Sequence, residues 1–294
     1  MVGWAVSNAE TAHSFLHEQT GAIPAPIRFR EDRSAGLLVS GWINDAGPFT
    51  FAVDTGAGLS LVGRNVVQQA GLTSTPSTQK IIGGLSKSPI VSTGEARASQ
   101  IALGTRANLL PGKPVLTVVS SLPAGVDGIL APNDLFEELA YSIDLPNRQI
   151  LAFDSRVNGL DLNHLPKEGA VVRWVRQRGG NRPFVRLGDG RLALLDTGSG
   201  FGLAVSNNRA VKANKNTQRN VNDLGGGLVQ SRSINPLTVS IGSLVLRDVP
   251  TDLVTGAASD TPIIIGRRAL YPFKLTFDPA AQLIAFEPTS RNVR

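Results

Sequence analysis

The sequence contains no cysteine, only three histidines, and aromatic residues at just 5% of its positions. Disulfides and thiolate chemistry are therefore excluded, and the redox compartment cannot be read from cysteine pairing. His13 and His17 stand four apart on a short helix expected to open at the capping pattern Ser7-Asn8-Ala9-Glu10 and to run to about Glu18. The third histidine, His164, is remote in sequence, so no third ligand completes a metal site and neither metal nor cofactor is expected. Long apolar runs are missing too: no window approaches the ~18 uninterrupted apolar residues of a membrane helix. Lysine and arginine (29) outnumber aspartate and glutamate (23), but they are scattered. Their densest group, Arg173, Arg176, Arg178, Arg182, Arg186 and Arg191, belongs to no recognised nucleic-acid module and reads as a solvated surface. Residues 1–12 lack the positive start and apolar stretch of a signal peptide. The basic balance and missing cysteines lean the expected location toward the periplasm or the secreted space, with any signal peptide already removed.

What the chain has in quantity is turn chemistry, with 31 glycines and 18 prolines in 294 residues, enough chain for two domains of roughly 140 residues. From Ile27 onward, short β-type runs alternate with turn residues: Leu37-Leu38-Val39, Gly41-Trp42-Ile43, the turn Asn44-Asp45-Ala46-Gly47, then Phe49 to Val53. Asp-Thr-Gly occurs twice, as Asp54-Thr55-Gly56 and Asp196-Thr197-Gly198, 142 positions apart (196 − 54) and each after an apolar run. A single copy is ordinary strand-end turn chemistry. Further matches follow in the same order: Gly83-Gly84 with Gly225-Gly226, Ile101 to Gly104 with Val239 to Gly242, and Gly128 to Ala131 with Ile263 to Gly266. Closing segments Ser142-Ile143-Asp144 and Thr276-Phe277-Asp278 complete the repeat. The expected organisation is an N-terminal helix or arm over 1–26, a first lobe over 27–153, a connector over 154–182, and a second lobe with its tail over 183–294.

Two homologous lobes packed about a pseudo-twofold axis would bring Asp54 and Asp196 together. A pair of adjacent carboxylates cannot both ionise cheaply, so they share a proton and titrate as a unit. One can then take a proton from a water while the other donates to an amide carbonyl under attack. The glycines permit close approach, and the threonine hydroxyls can donate across the interface.

On these motifs the chain resembles the aspartic proteases of the pepsin and retropepsin superfamily, as a single bilobal chain with retropepsin-like lobes. The resemblance spans about residues 27 to 287. It implies a mostly β fold of two acid-protease-type β-barrel lobes with the active site at their interface. It also implies Asp54 and Asp196 as the catalytic pair, supported by Thr55, Gly56, Thr197, Gly198 and Ser199. Ile264-Ile265-Gly266 resembles the family's hydrophobic-hydrophobic-Gly element, and Ile129-Leu130-Ala131 is its first-lobe partner with alanine for glycine, which implies some local rearrangement. Ile82-Gly83-Gly84 resembles a flap that closes over substrate, and Gly225-Gly226 marks a hairpin turn that would serve as a second flap. Ala57 stands where the second loop has Ser199, which predicts that a Ser199 hydroxyl bond makes Asp196 the more readily ionised member. The implied activity is that of an endopeptidase on an extended polypeptide, acting as a monomer. A non-catalytic peptide-binding or scaffold protein is the alternative, and residues 1–26 as a propeptide remnant or covering arm is a third reading.

Other motifs carry less. Ser77-Thr78-Gln79-Lys80 has the Ser-x-x-Lys spacing of penicillin-interacting enzymes without its companion motifs and reads as a loop leading into the flap. Gly198-Ser199-Gly200-Phe201-Gly202 lacks the glycine spacing of a dinucleotide loop, and Gly225-Gly226-Gly227 lacks the lysine of a phosphate loop. Asp127, Asp134, Glu137 and Glu138 read as helix-end and turn residues.

Overall fold

The computed structural model describes residues 23–76, 81–82, 85, 90–137, 139–177, 180–206, 218–222, 228–255 and 261–289. The helix expected over residues 7–18, with His13 and His17, lies outside them. Strands dominate, and among the described residues no helix is long and apolar enough to cross a membrane.

Each lobe is built around the same four-strand core. In the first, Ala46–Val53 runs parallel to Gly128–Leu130; that strand pairs antiparallel with Leu61–Gly63, which runs parallel to Val115–Val119. In the second, Leu192–Asp196, Ile263–Gly266, Leu203–Ser206 and Leu244–Thr255 follow with the same three senses. Central strands flanked on both sides must be apolar on both faces, as the buried runs Phe51-Ala52-Val53 and Ala193-Leu194-Leu195 are. The hairpin that delivers the first of these turns at Asn44 and Asp45, both at positive φ, with Ile43 paired to Ala46. Asparagine and aspartate tolerate that conformation, and its twist suits a two-residue turn.

A six-stranded antiparallel sheet is shared between the lobes. Its centre is the pairing of Ala140–Asp144 with Phe273–Asp278, in the register Tyr141 to Phe277 and Ile143 to Leu275. Each of these strands forms a hairpin with its successor, Gln149–Phe153 and Leu283–Pro288. Both hairpin turns are held by a buried aspartate: Asp144 accepts from Asn147 N at 3.0 Å and Asp278 from Ala281 N at 2.9 Å. The edges are Ile27–Arg28 on one side and Ala170–Arg173 on the other. Residues 170–173 lie within the segment read from sequence as connector, yet they hold the place in the second half that Ile27–Arg28 holds in the first. Across the middle, Tyr141 stacks between Phe136 (5.2 Å) and Phe277 (5.0 Å), and Trp174 meets Phe277 edge-on at 6.0 Å. Such a column ties the lobes through apolar burial plus favourable ring geometry.

Candidate active site at the lobe interface

Both Asp-Thr-Gly segments leave the ends of equivalent strands and meet. Thr55 and Thr197 are fully buried and bond reciprocally. Thr55 N donates to Thr197 Oγ1 at 3.1 Å, and Thr197 N donates to Thr55 Oγ1 at 3.0 Å. Each hydroxyl then donates into the opposite strand: Thr55 to the Leu195 carbonyl at 2.7 Å, Thr197 to the Val53 carbonyl at 3.4 Å. The amide and hydroxyl of each threonine are satisfied by the opposite loop, so the two loops support each other's conformation.

The glycines complete the approach. A Cβ on Gly56 would lie 2.6 Å from the Asp196 carboxyl carbon, and one on Gly198 would be closer still to that of Asp54. The opposite carboxylate thus occupies the space each side chain would need. Asp54 Oδ1 accepts from Gly56 N at 2.7 Å and from Gly198 N at 3.2 Å, whereas Asp196 Oδ1 accepts from Ser199 N at 2.8 Å. Protein encloses both carboxyls on most sides while leaving some surface accessible. Burial pushes both upward from the ordinary aspartate value, and Asp196 rises well above it because the neighbouring Asp54 charge adds to burial. Asp54 is restrained by the Gly56 amide, a bond from Asp196 and the Gly198 amide. Two carboxyls so placed titrate as a pair.

The aspartyl protease family profile matches residues 39–131, the stretch carrying the first of these loops. Among solved structures, the chain is similar to the aspartic proteinase from Irpex lacteus, with a TM-score of 0.57 at 14% identity over 92% of this chain and 98% of that one. This is the bilobal aspartic-protease fold. No curated protein matches the chain in sequence.

Within this aspartic-protease fold, one expectation about the pair needs correcting. Asp54, not Asp196, is the more readily ionised member, because two main-chain amides converge on it. The Ser199 hydroxyl accepts from Phe201 N at 3.3 Å, and Ser199 supports Asp196 through its main-chain amide. The local rearrangement expected around Ala131 takes the form of a shorter loop. The segment from aspartate to the residue paired with the hydrophobic-hydrophobic strand is one residue shorter in the first lobe, 54 to 61 against 196 to 204. In the second lobe a Cβ on Gly266 would stand 2.5 Å from the Phe201 carbonyl oxygen. In the first lobe, Ser60 supplies what the longer loop supplies elsewhere: its Oγ accepts from Ala131 N at 3.1 Å and donates to Asp134 at 3.0 Å. The corresponding bond in the second lobe runs from Gly266 N to the Gly202 carbonyl at 3.0 Å.

Sequence reasoning passed over Arg267, which follows that glycine. It is buried at 3% exposure. Nη1 donates to the Thr197 and Gly198 carbonyls at 2.9 and 2.8 Å, and Nη2 to the Asp32 and Arg33 carbonyls at 3.1 and 3.2 Å. Nε is 3.4 Å from Glu31 Oε1, an ion-pair distance without hydrogen-bond geometry. Arg267 therefore bolts the second Asp-Thr-Gly loop to a first-lobe turn, and its charge favours ionisation of both aspartates. The turn is itself rigid: Asp32 accepts from Ser34 and Ala35, which hold its carboxyl down to about 2.

The two hairpins have described arms. Ile81–Ile82 pairs with Ile90–Arg97, Ile82 facing Ile90, and Gln218–Asn222 pairs with Leu228–Ile241, Val221 facing Val229. Gly83, Gly84, Gly225 and Gly226 lie outside the described residues. The registers relate the described arms by 139 positions (221 − 82), Ile82 answering Val221. Leu85, beyond the arm Ile81–Ile82, packs on a second-lobe cluster of Phe201, Ala204, Val229, Val254 and Ile264. The first-lobe hairpin therefore reaches across to the other lobe.

Proposed function

We propose that this chain is an aspartic endopeptidase that hydrolyses peptide bonds of an extended polypeptide. The observation that carries the reading is the convergence of Asp54 and Asp196 from two equivalent loops onto one proton-sharing site. Asp54 is the ionised member and acts as general base toward a water between the carboxyls. That water attacks the substrate carbonyl. Asp196, protonated, donates to the developing oxyanion, and the proton taken up by Asp54 passes to the departing nitrogen. The hairpin arms offer strand edges to which an extended peptide can add, and a hairpin reaching across the lobes suits a substrate laid between them. Since one chain supplies both carboxyls, a monomer suffices.

The test is incubation with unfolded casein and a peptide library from about pH 3 to about pH 7, with and without a pepstatin-type inhibitor, beside Asp54→Asn and Asp196→Asn. Inhibitor-sensitive internal cleavage that both substitutions abolish is expected. Cleavage surviving either substitution refutes the paired mechanism.

A further inference from the structure

Arg182 stands at the entrance to the second lobe with its backbone fixed from three directions. Asn133 Nδ2, from the first lobe, donates to the Asn181 carbonyl at 2.6 Å, and Trp174 Nε1 donates to that of Arg182 at 3.0 Å. Leu195 N, next to Asp196, donates to the Pro183 carbonyl at 2.9 Å. From this anchor the side chain reaches the other lobe's catalytic loop. Its Cδ lies 3.8 Å from where a Cβ on Gly58 would be, and Gly58 is four residues beyond Asp54. The guanidinium carbon sits 5.5 Å from the ring centroid of Phe184. Gly58 is exposed and Arg182 half-exposed, so solvent and ligand reach this corner. Among the described residues, no carboxylate or carbonyl accepts from the guanidinium.

The pseudo-symmetric place differs. Leu37 pairs with Val53 as Pro183 bonds Leu195, so the counterpart of Arg182 is Gly36. There the space is filled by Arg267, whose Nη1 lies 3.2 Å from a Cβ on Gly36, and that guanidinium is committed to four carbonyls. One catalytic loop is thus flanked by a cation occupied in holding the fold, the other by a cation with an anchored stem and an uncommitted head.

We propose that Arg182 is a specificity-determining residue that binds an acidic side chain of the polypeptide substrate, on one side of the scissile bond only. The proposal rests on the endopeptidase reading above. A guanidinium presents a planar fork of donors matched to a carboxylate, and stacking on Phe184 orients that plane. A fixed backbone lowers the entropy lost when the substrate docks. An extended peptide advances about 3.3 Å per residue, which places the recognised side chain within about three residues of the cleaved bond.

The experiment starts from a peptide with neutral flanks that the wild-type protein cleaves, and places Glu, Gln or Lys in turn at each of about three positions on either side of the bond. Wild type is expected to favour Glu over Gln about tenfold in kcat/KM at one position, mainly through KM. In Arg182→Gln that ratio falls to near one, and Arg182→Glu transfers the preference to Lys, a gain that misfolding cannot produce. Equal cleavage of Glu and Gln peptides by wild type at every position, or a Glu preference that survives Arg182→Gln, overturns the role of Arg182 and leaves the endopeptidase reading standing. Absence of cleavage across the whole set, neutral peptides included, overturns both.

Discussion

The two Asp-Thr-Gly loops meet as equivalents but rest on different scaffolding. Threonines and glycines at the contact obey the twofold closely, since each threonine satisfies its partner's polar groups and each glycine leaves the space that the opposite carboxylate fills. One layer back the symmetry lapses. The first loop is shorter, with Ser60 bonding the Ala131 amide and Asp134; the second is longer, with a main-chain carbonyl for Gly266 and the Arg267 guanidinium behind it. Residues that must meet are constrained as a pair, while those that hold each loop in place are constrained only to fill its space and satisfy its amides. The carboxyls themselves also differ: two amides, of Gly56 and Gly198, aim at Asp54 and one, of Ser199, at Asp196, which favours ionisation of Asp54.

The largest effects should come where the symmetry is strict. Gly56→Ala and Gly198→Ala each drive a methyl into the opposite carboxylate, and both are expected to lower kcat/KM for casein peptides by at least about a hundredfold, as misplacements near 1 Å do. A mild effect in one and a severe effect in the other would break the comparison at its strongest point. Next comes the contrast one layer back. Gly266→Ala should cost about 1–3 kcal/mol by overpacking against the Phe201 and Ser199 carbonyls, whereas Ala131→Gly should cost no more than about 1 kcal/mol from backbone entropy. Denaturant unfolding of the two variants measures the difference. Arg267→Met should destabilise the protein and also move its pH profile. A nearby cation favours the ionised carboxylate, so without it both members of the pair hold protons to higher pH and the acidic limb of kcat/KM shifts upward. An unmoved limb would reduce Arg267 to a purely structural bolt. Smallest is Ser199→Ala: its hydroxyl serves Phe201 N, so the acidic limb should stay where it is. A downward or upward displacement would show that the hydroxyl reaches Asp196 in solution.

Much of this was legible in the chain because it is local and repeated. The doubled tripeptide, the hydrophobic-hydrophobic elements and the Asn44-Asp45 turn each announce themselves within a few residues. Four features did not. Ala170–Arg173 sits among polar, basic neighbours, and only its pairing with Leu283–Pro288 marks it as an edge strand. The correspondence of the two hairpins is hidden because the stretches leading into them differ in length, 54 to 82 against 196 to 221, and only the ladders relate Ile82 to Val221. Arg267 and Arg182 act on residues far away in sequence, up to 235 positions for the bond to Asp32, and nothing in their neighbourhoods reports it. The direction of the carboxyl asymmetry was likewise hidden, since a sequence displays the Ser199 side chain but not the number of amides converging on Asp54.

The most direct test of the central claim is carboxyl ¹³C NMR of the folded protein labelled at aspartate, titrated in wild type, Asp54→Asn and Asp196→Asn. The account predicts two steps that belong to the pair, the later one well above the ordinary aspartate range, and loss of that late step in either variant. Two independent steps near the ordinary value of about 3.9, each surviving substitution of the other residue, would contradict it.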